Sequence, residues 1–262
     1  MKTTLYTETS GAGQDLVLIH GWGLHGGVFN EFSKKLEPHF RVTRVDLPGY
    51  GHSDAVDSYA LADLARLVQQ SVPEQAIWMG WSLGGLIAQR AAIDQLPLKA
   101  IALISSTPKF TADATWPFGT SPDVLQKFTD ELKENYRRTI LQFLSIQAMG
   151  SIKAKEEIRL LRDLLFSRKD PDHLALEKTL SLLQNEDLIS ELGKIQIPCV
   201  AIFGAKDRLV HPETSDLFKK HCKTASTQII PAAGHAAFIS HPGVVRHILM
   251  ELNQALLPQG EG

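Results

Sequence analysis

Short runs rich in apolar and β-branched residues recur along the chain, and longer amphipathic stretches separate the first four of them. The runs at residues 16–19, 42–45, 76–79, 100–104, 199–203 and 227–230 are bounded by turn residues, which predicts buried strands. Between the first four lie segments long enough for a helix, among them 61–70 and 83–94. A strand that returns parallel to its neighbour needs a crossover of that length, so the pattern predicts an α/β fold with a doubly wound, mostly parallel sheet. From 109 to 185 the alternation stops. Residues 123–149, 153–166 and 172–185 carry charged sequence with helical periodicity, and the sheet pattern resumes at 197–203. The expected organisation is a core of 1–108 and 186–262, with a helical insertion over 109–185 that covers the sheet as a lid.

Composition narrows the function classes. The 262 residues are 44% hydrophobic and 21% charged, ordinary values for a soluble globular protein. With 27 basic and 29 acidic side chains the net charge is -2, which provides no general attraction for nucleic acid or anionic lipid. The opening MKTTLYTETSGAGQ has no signal-peptide core, and no stretch approaches the ~18 apolar residues of a membrane span. A cytoplasmic protein is expected, without nucleic-acid or membrane partners. A monomer is also expected, since no long exposed apolar seam is legible. The final PQGEG reads as a frayed tail. Cys199 and Cys222 lack CxxC spacing, and Cys199 opens an apolar run, as a buried inert thiol would. With no phosphate-binding glycine loop, zinc-ligand cluster or redox motif, no cofactor and no metal are implied.

The chemistry begins at Gly80-Trp81-Ser82-Leu83-Gly84, a G-x-S-x-G motif that follows the run 76–79 and precedes the helical stretch 83–94. Strand, sharp turn and helix in that order present a serine at the end of a sheet. The turn strains the serine backbone, and side chains at Gly80 or Gly84 would collide with neighbouring backbone. The helix start then aims N–H groups and a positive dipole end at developing negative charge, with Leu83 N–H as the first oxyanion donor. Trp22 N–H is assigned as the second. It lies in His20-Gly21-Trp22-Gly23, directly after the run 16–19.

A serine hydroxyl is a weak nucleophile at neutral pH and needs a base, itself oriented by an acid. Both partners are expected downstream of Ser82, at the C-terminal ends of strands. Asp207, four residues past the run 199–203, and His235, in Gly234-His235 after the run 227–230, satisfy this. Among rivals, His241 precedes Pro242 and reads as a helix entry, His20 braces the oxyanion loop, and His52 precedes Ser82 in order. Asp46 is the main rival acid, in a turn-like Asp46-Leu47-Pro48-Gly49. The insertion also carries basic side chains: Arg137 and Arg138, then Lys155, Arg159 and Arg162 at spacings that share one helix side, with Glu156 and Glu157 beside them.

Together, His20-Gly21-Trp22-Gly23, Asp46-Leu47-Pro48-Gly49, Gly80-Trp81-Ser82-Leu83-Gly84-Gly85 and Gly234-His235 resemble the α/β-hydrolase superfamily across nearly the whole chain. Trp22, Trp81, the stretch Phe143-Leu144-Ser145-Ile146-Gln147-Ala148-Met149-Gly150, and Phe238-Ile239-Ser240-His241-Pro242 further resemble the BioH-type pimeloyl-acyl-carrier-protein methyl ester esterases of biotin synthesis. The resemblance implies hydrolysis of the methyl ester of a carrier-linked pimeloyl chain, releasing methanol. It implies substrate contact by Trp22, Ser82, Leu83, Phe143, Leu144, Gln147 and His235, although Phe143, Leu144 and Gln147 also suit an ordinary core-facing stripe. It further implies docking of an acidic acyl carrier protein on Arg138, Lys155 and Arg159. Gln142 departs from the pattern where an arginine would strengthen that surface.

The same motifs would serve a broad-specificity short-chain carboxylesterase, and hydrolases of this fold also cleave carbon–carbon or amide bonds. A dehalogenase would carry Asp in place of Ser82. In another class stands a binding protein that kept the fold and lost catalysis.

Overall fold

The computed structural model describes residues 4–165 and 167–257. Among them, seven strands form one sheet: β1 (Thr7–Gly11), β2 (Gln14–Ile19), β3 (Phe40–Val45), β4 (Ile77–Trp81), β5 (Ala100–Ile104), β6 (Cys199–Gly204) and β7 (Ala225–Ile230). Their spatial order is β1-β3-β2-β4-β5-β6-β7, parallel throughout except that β1 runs antiparallel to β3. All six runs predicted as strands are strands. β1 was not predicted, because TETSG has no apolar run. It is an edge strand whose side chains are exposed or half-buried, so its sequence needs no buried face.

Helices α1 (Asn30–Leu36), α2 (Leu61–Ser71), α3 (Leu83–Ile93), α7 (Thr214–His221), α8 (Ala237–Ser240) and α9 (Pro242–Ala255) belong to the sheet-forming part of the chain. Every residue of β4, β5 and β6 is buried, the pattern of parallel strands covered on both faces. Truncating one of these side chains, for instance Ile101→Ala, removes packing that neighbours cannot refill, at a cost of about 2–5 kcal/mol.

Between β5 and β6 come α4 (Pro122–Ala148), α5 (Ala154–Leu165) and α6 (His173–Asn185), with α4 packed on both of the others. The single helix expected over 123–149 is a misjudgement in one respect. Asn135 leaves helical geometry at φ -154°, ψ 84°, and divides α4 into two arms. Asn135 Oδ1 accepts the Arg138 N–H at 3.1 Å, so the side chain caps a second helix start in place of continuing the first. The helix expected at 153–166 is α5, with Phe166 outside the described residues. The PQGEG tail, 258–262, also lies outside them. Among the described residues no helix is long and apolar enough to cross a membrane.

The segment between β5 and β6 is pinned to the sheet just beyond α5. Arg168 pairs with the buried Asp46 at 2.5 Å and with Glu8 at 3.0 Å, and His25 Nε2 donates to the Leu164 carbonyl at 2.9 Å. Asp46, the rival acid, spends its other bonds on the N–H groups of Gly26 (2.7 Å) and His52 (2.9 Å). That is structural work, remote in kind from orienting a base.

Candidate active site

Four connections meet at the C-terminal edge of the sheet: those after β2, β4, β6 and β7. Ligand sites of open α/β sheets lie at this edge, where strand order reverses.

Ser82 sits between β4 and α3 with φ 53° and ψ -114°, in the left-handed half of backbone space. Such a backbone persists only when its surroundings over-determine it. A Cβ at Gly80 would lie 2.3 Å from the Gly84 carbonyl oxygen, and one at Gly84 would lie 2.2 Å from that of Ile19. Beneath the turn the Ser106 hydroxyl donates to the Ser82 carbonyl at 2.8 Å, and Gln89 Nε2 donates to Ser106 at 3.3 Å. The close approach of Gly84 to Ile19 and His20 sets the start of α3 against the loop after β2.

That juxtaposition brings two N–H groups to one place. Leu83 opens α3, where first-turn N–H groups have no partner within the helix. The Trp22 N–H also makes no hydrogen bond among the described residues. Its direction is set by His20. The His20 ring is fully buried, accepts the Leu47 N–H at Nε2 (3.0 Å) and donates from Nδ1 to the Gly21 carbonyl (2.8 Å). In a trans peptide the carbonyl and the following N–H point opposite ways, so anchoring Gly21 O turns the Trp22 N–H away from the imidazole. Burial pushes His20 down to about 4, which keeps the ring neutral and able to make both bonds.

Asp207 and His235 are both buried, and His235 Nδ1 meets Asp207 Oδ2 at 2.8 Å. A carboxylate only accepts, so Nδ1 carries the proton and Nε2 of the neutral ring is a free base. Asp207 Oδ1 is held by the N–H groups of Leu209 (2.9 Å) and Val210 (3.1 Å). Nε2 is buried and makes no hydrogen bond, to Ser82 or to any other described residue. Trp81, next to Ser82, donates its indole N–H to the His235 carbonyl at 2.9 Å and so ties the serine turn to the histidine loop.

Of the insertion residues, Phe143 lies edge-on to Trp22 with ring centroids 5.0 Å apart. Gln147 accepts the His235 N–H on its backbone carbonyl at 3.1 Å, and both polar atoms of its buried side chain lack partners among the described residues. Leu144 is packed in the main apolar core. Arg138, Lys155 and Arg159 are exposed and make no salt bridge with a described residue, whereas Arg137 is held by Asp170 at 2.6 Å. Cys199 is buried at the far end of β6 from Asp207. Hydrogen bonding to Cys222 together with burial pushes its thiol well up, so it is inert.

Sequence inspection missed the turn between α4 and α5, which packs on the histidine loop. One signal was available. Glu157 falls at i, i+4, i+8 with Leu161 and Leu165, a carboxylate on an apolar stripe, and all three are buried. Glu157 therefore does not dilute the basic outer face of α5.

A buried serine on a strained strand-to-helix turn, two free N–H groups beside it, and an Asp–His pair after later strands define the class. The chain matches the alpha/beta hydrolase family over residues 16–248 and belongs to that family. More particularly, it is 39% identical over 254 residues to the pimeloyl-acyl-carrier-protein methyl ester esterase of Pectobacterium carotovorum subsp. carotovorum, covering 96% of this chain and 99% of that one. It is 41% identical over 244 residues to the protein of the same name from Photobacterium profundum, covering 92% and 95%. Among solved structures, an esterase from Exiguobacterium antarcticum superposes with a TM-score of 0.85 at 22% identity over 96% of each chain. An enol-lactonase from Burkholderia xenovorans LB400 reaches 0.82 at 18% identity over 95% of this chain and 96% of that one. At that identity these structures share the fold alone.

Proposed function

We propose that this protein is a serine carboxylesterase that hydrolyses the methyl ester of pimeloyl-acyl carrier protein, in biotin synthesis, releasing methanol. The observation that carries this is the near-full-length similarity to relatives of that name, on a chain that also holds Ser82, Asp207 and His235 at the sheet edge. Ser82 Oγ attacks the ester carbonyl while His235 Nε2 takes its proton. The imidazolium passes that proton to the departing methoxide, giving methanol and an acyl-serine. His235 then takes a proton from water, whose oxygen attacks the acyl-serine, and returns it to Ser82 as the free acid leaves. Asp207 holds the Nδ1 proton throughout. Trp22 and Leu83 N–H groups receive the oxyanion of both tetrahedral intermediates, and losing one such donor costs about 100- to 1000-fold in turnover.

In this proposal the helices of 109–185 form a lid over the core of 1–108 and 186–262. Phe143, Leu144 and Gln147 line the acyl path behind Trp22, and the two unpartnered polar atoms of Gln147 favour contact with a polar group of the substrate. Arg138, Lys155 and Arg159 dock the acidic carrier in the cytoplasm. Their exposure and lack of ion pairs with the described residues support this, since a cation already paired has less to offer a partner.

The test compares methanol release from the carrier-linked methyl ester with hydrolysis of free short-chain esters, for wild type, Ser82→Ala and the double charge reversal Lys155→Glu/Arg159→Glu. Preference for the carrier-linked ester, lost in Ser82→Ala and weakened in KM by the charge reversal, is expected. Serine-dependent hydrolysis of free esters alone would leave an esterase without the carrier role.

A further inference from the structure

The chemistry proposed above makes no use of Glu157, a carboxylate with no exposed surface on a helix whose neighbours Lys155, Glu156 and Arg159 all face solvent. Burying a carboxylate costs free energy that a leucine, the residue at the next two positions of the same stripe, would not incur. Glu157 Oε1 accepts the hydroxyl of Ser151, and the Ser240 hydroxyl lies beside the carboxylate, yet Oε2 has no hydrogen-bond partner among the described residues. Ser151 approaches the loop that carries His235 at Gly234, and Ser240 ends α8, the helix that follows that loop.

The end of α4 and the turn that follows it, residues 147–152, touch that loop at several points. Gln147 O accepts the His235 N–H at 3.1 Å, and the Ile152 N–H reaches Ala232 O at 3.4 Å. Ser151 Cβ lies 3.3 Å from where a Cβ at Gly234 would stand. Gly150, at φ +84°, lets the turn close on the backbone of Lys206, next to Asp207, where a Cβ would come within 2.9 Å of the carbonyl oxygen. Ser151 is itself immobilised, donating to Glu157 while accepting the Lys153 N–H at 3.2 Å.

We propose that Glu157 is a positioning residue for His235: through Ser151 it clamps the α4–α5 turn onto the histidine and aspartate loops and so fixes the base. The clamp comes from the insertion, so the lid completes the triad's geometry as well as covering it. This inference rests on His235 acting as the base, and its test therefore includes a readout that needs no turnover.

The experiment measures kcat and KM for 4-nitrophenyl acetate, a substrate without a carrier, and the low-field proton resonance of the His235 Nδ1–H···Asp207 bond, in wild type, Glu157→Leu, Glu157→Gln and Ser151→Ala. Glu157→Leu and Ser151→Ala are expected to lower kcat about 10- to 100-fold with KM little changed, as for a base slightly misplaced, and to shift or broaden the resonance. Glu157→Gln still accepts from Ser151 and is expected to keep both near wild type. A folded Glu157→Leu protein with wild-type kcat and an unmoved resonance would overturn the clamp. Should Glu157→Leu not fold, Ser151→Ala, which removes one hydroxyl, decides by the same readouts. An inactive wild type would refute the esterase proposal, and the resonance would still decide for or against the clamp.

Discussion

The serine turn and the histidine loop stand at the same sheet edge and are built in opposite ways. Ser82 is fixed from the sheet: Gly80 lies against Gly84 and Gly85, Gly84 against the backbone of Ile19, and Gly85 against Ser106, whose hydroxyl holds the Ser82 carbonyl. His235 is fixed from above, by Gln147, Ser151 and Ile152, and from the side by Asp207 and the Trp81 indole. If the proposed chemistry holds, the difference teaches that a nucleophile needing a strained backbone is placed where the surroundings cannot yield, while a base that must accept and release protons is held by side-chain and loop contacts. It also implies that changes in the insertion reach the reaction through the histidine.

The comparison can be pressed in order of expected effect. Ser82→Ala should lower ester turnover by about 10⁴- to 10⁶-fold, and Asp207→Asn by about 10⁴-fold, both measured as kcat with correctly folded protein. Gly84→Ala should destabilise by about 3 kcal/mol or more in chemical denaturation, because its Cβ would meet the rigid backbone of β2 at 2.2 Å. Gly234→Ala meets Gln147 O at 3.1 Å and Ser151 Cβ at 3.3 Å, contacts a loop can relax, and should cost about 1 kcal/mol while lowering kcat. Equal effects of the two substitutions would erase the distinction.

Two titrations sharpen it further. His20 is held down to about 4, so it stays neutral while the unfolded chain takes up a proton below its ordinary 6.5. Its contribution is therefore complete above pH 6.5 and is lost as pH falls towards 4, on the order of 3 kcal/mol, a loss that His20→Asn should lack. Glu157 is shifted the other way by burial, up from 4.5, against the hydroxyls of Ser151 and Ser240. Its contribution is present below 4.5 and fades as pH rises through the folded value. Glu157→Gln should flatten that decline, a smaller effect read as denaturation midpoint against pH.

Much of this was legible in the chain. The parallel strands announce themselves as apolar runs, most plainly β4, β5 and β6, where every residue is buried; β7, an edge strand with Ser226, Gln228 and Ile229 exposed, is legible from its β-branched residues and bounding turns. β1, TETSG, does not, because an edge strand beside β3 has no such face to fill. Ser82, Asp207 and His235 were candidates because the chemistry of a serine triad fixes order and place at strand ends; the structure brings Asp207 and His235 into contact, and His235 Nε2 makes no hydrogen bond to Ser82. The break at Asn135 was less legible, since the helical periodicity continues through it and only the capping side chain reveals it. The clamp was hidden because it depends on contacts between residues some eighty apart in the chain, Ser151 with Gly234 and Gln147 with His235. Helical spacing could place Glu157 on the apolar face, but not show what it meets there.

The central claim, a Ser82 nucleophile acting on a carrier-linked pimeloyl methyl ester, is tested most directly by intact-mass and peptide-mass analysis after treatment with a fluorophosphonate. The account predicts a single adduct on Ser82, absent from Ser82→Ala and slowed by prior addition of the carrier-linked ester. No adduct, or one on another residue, would contradict it.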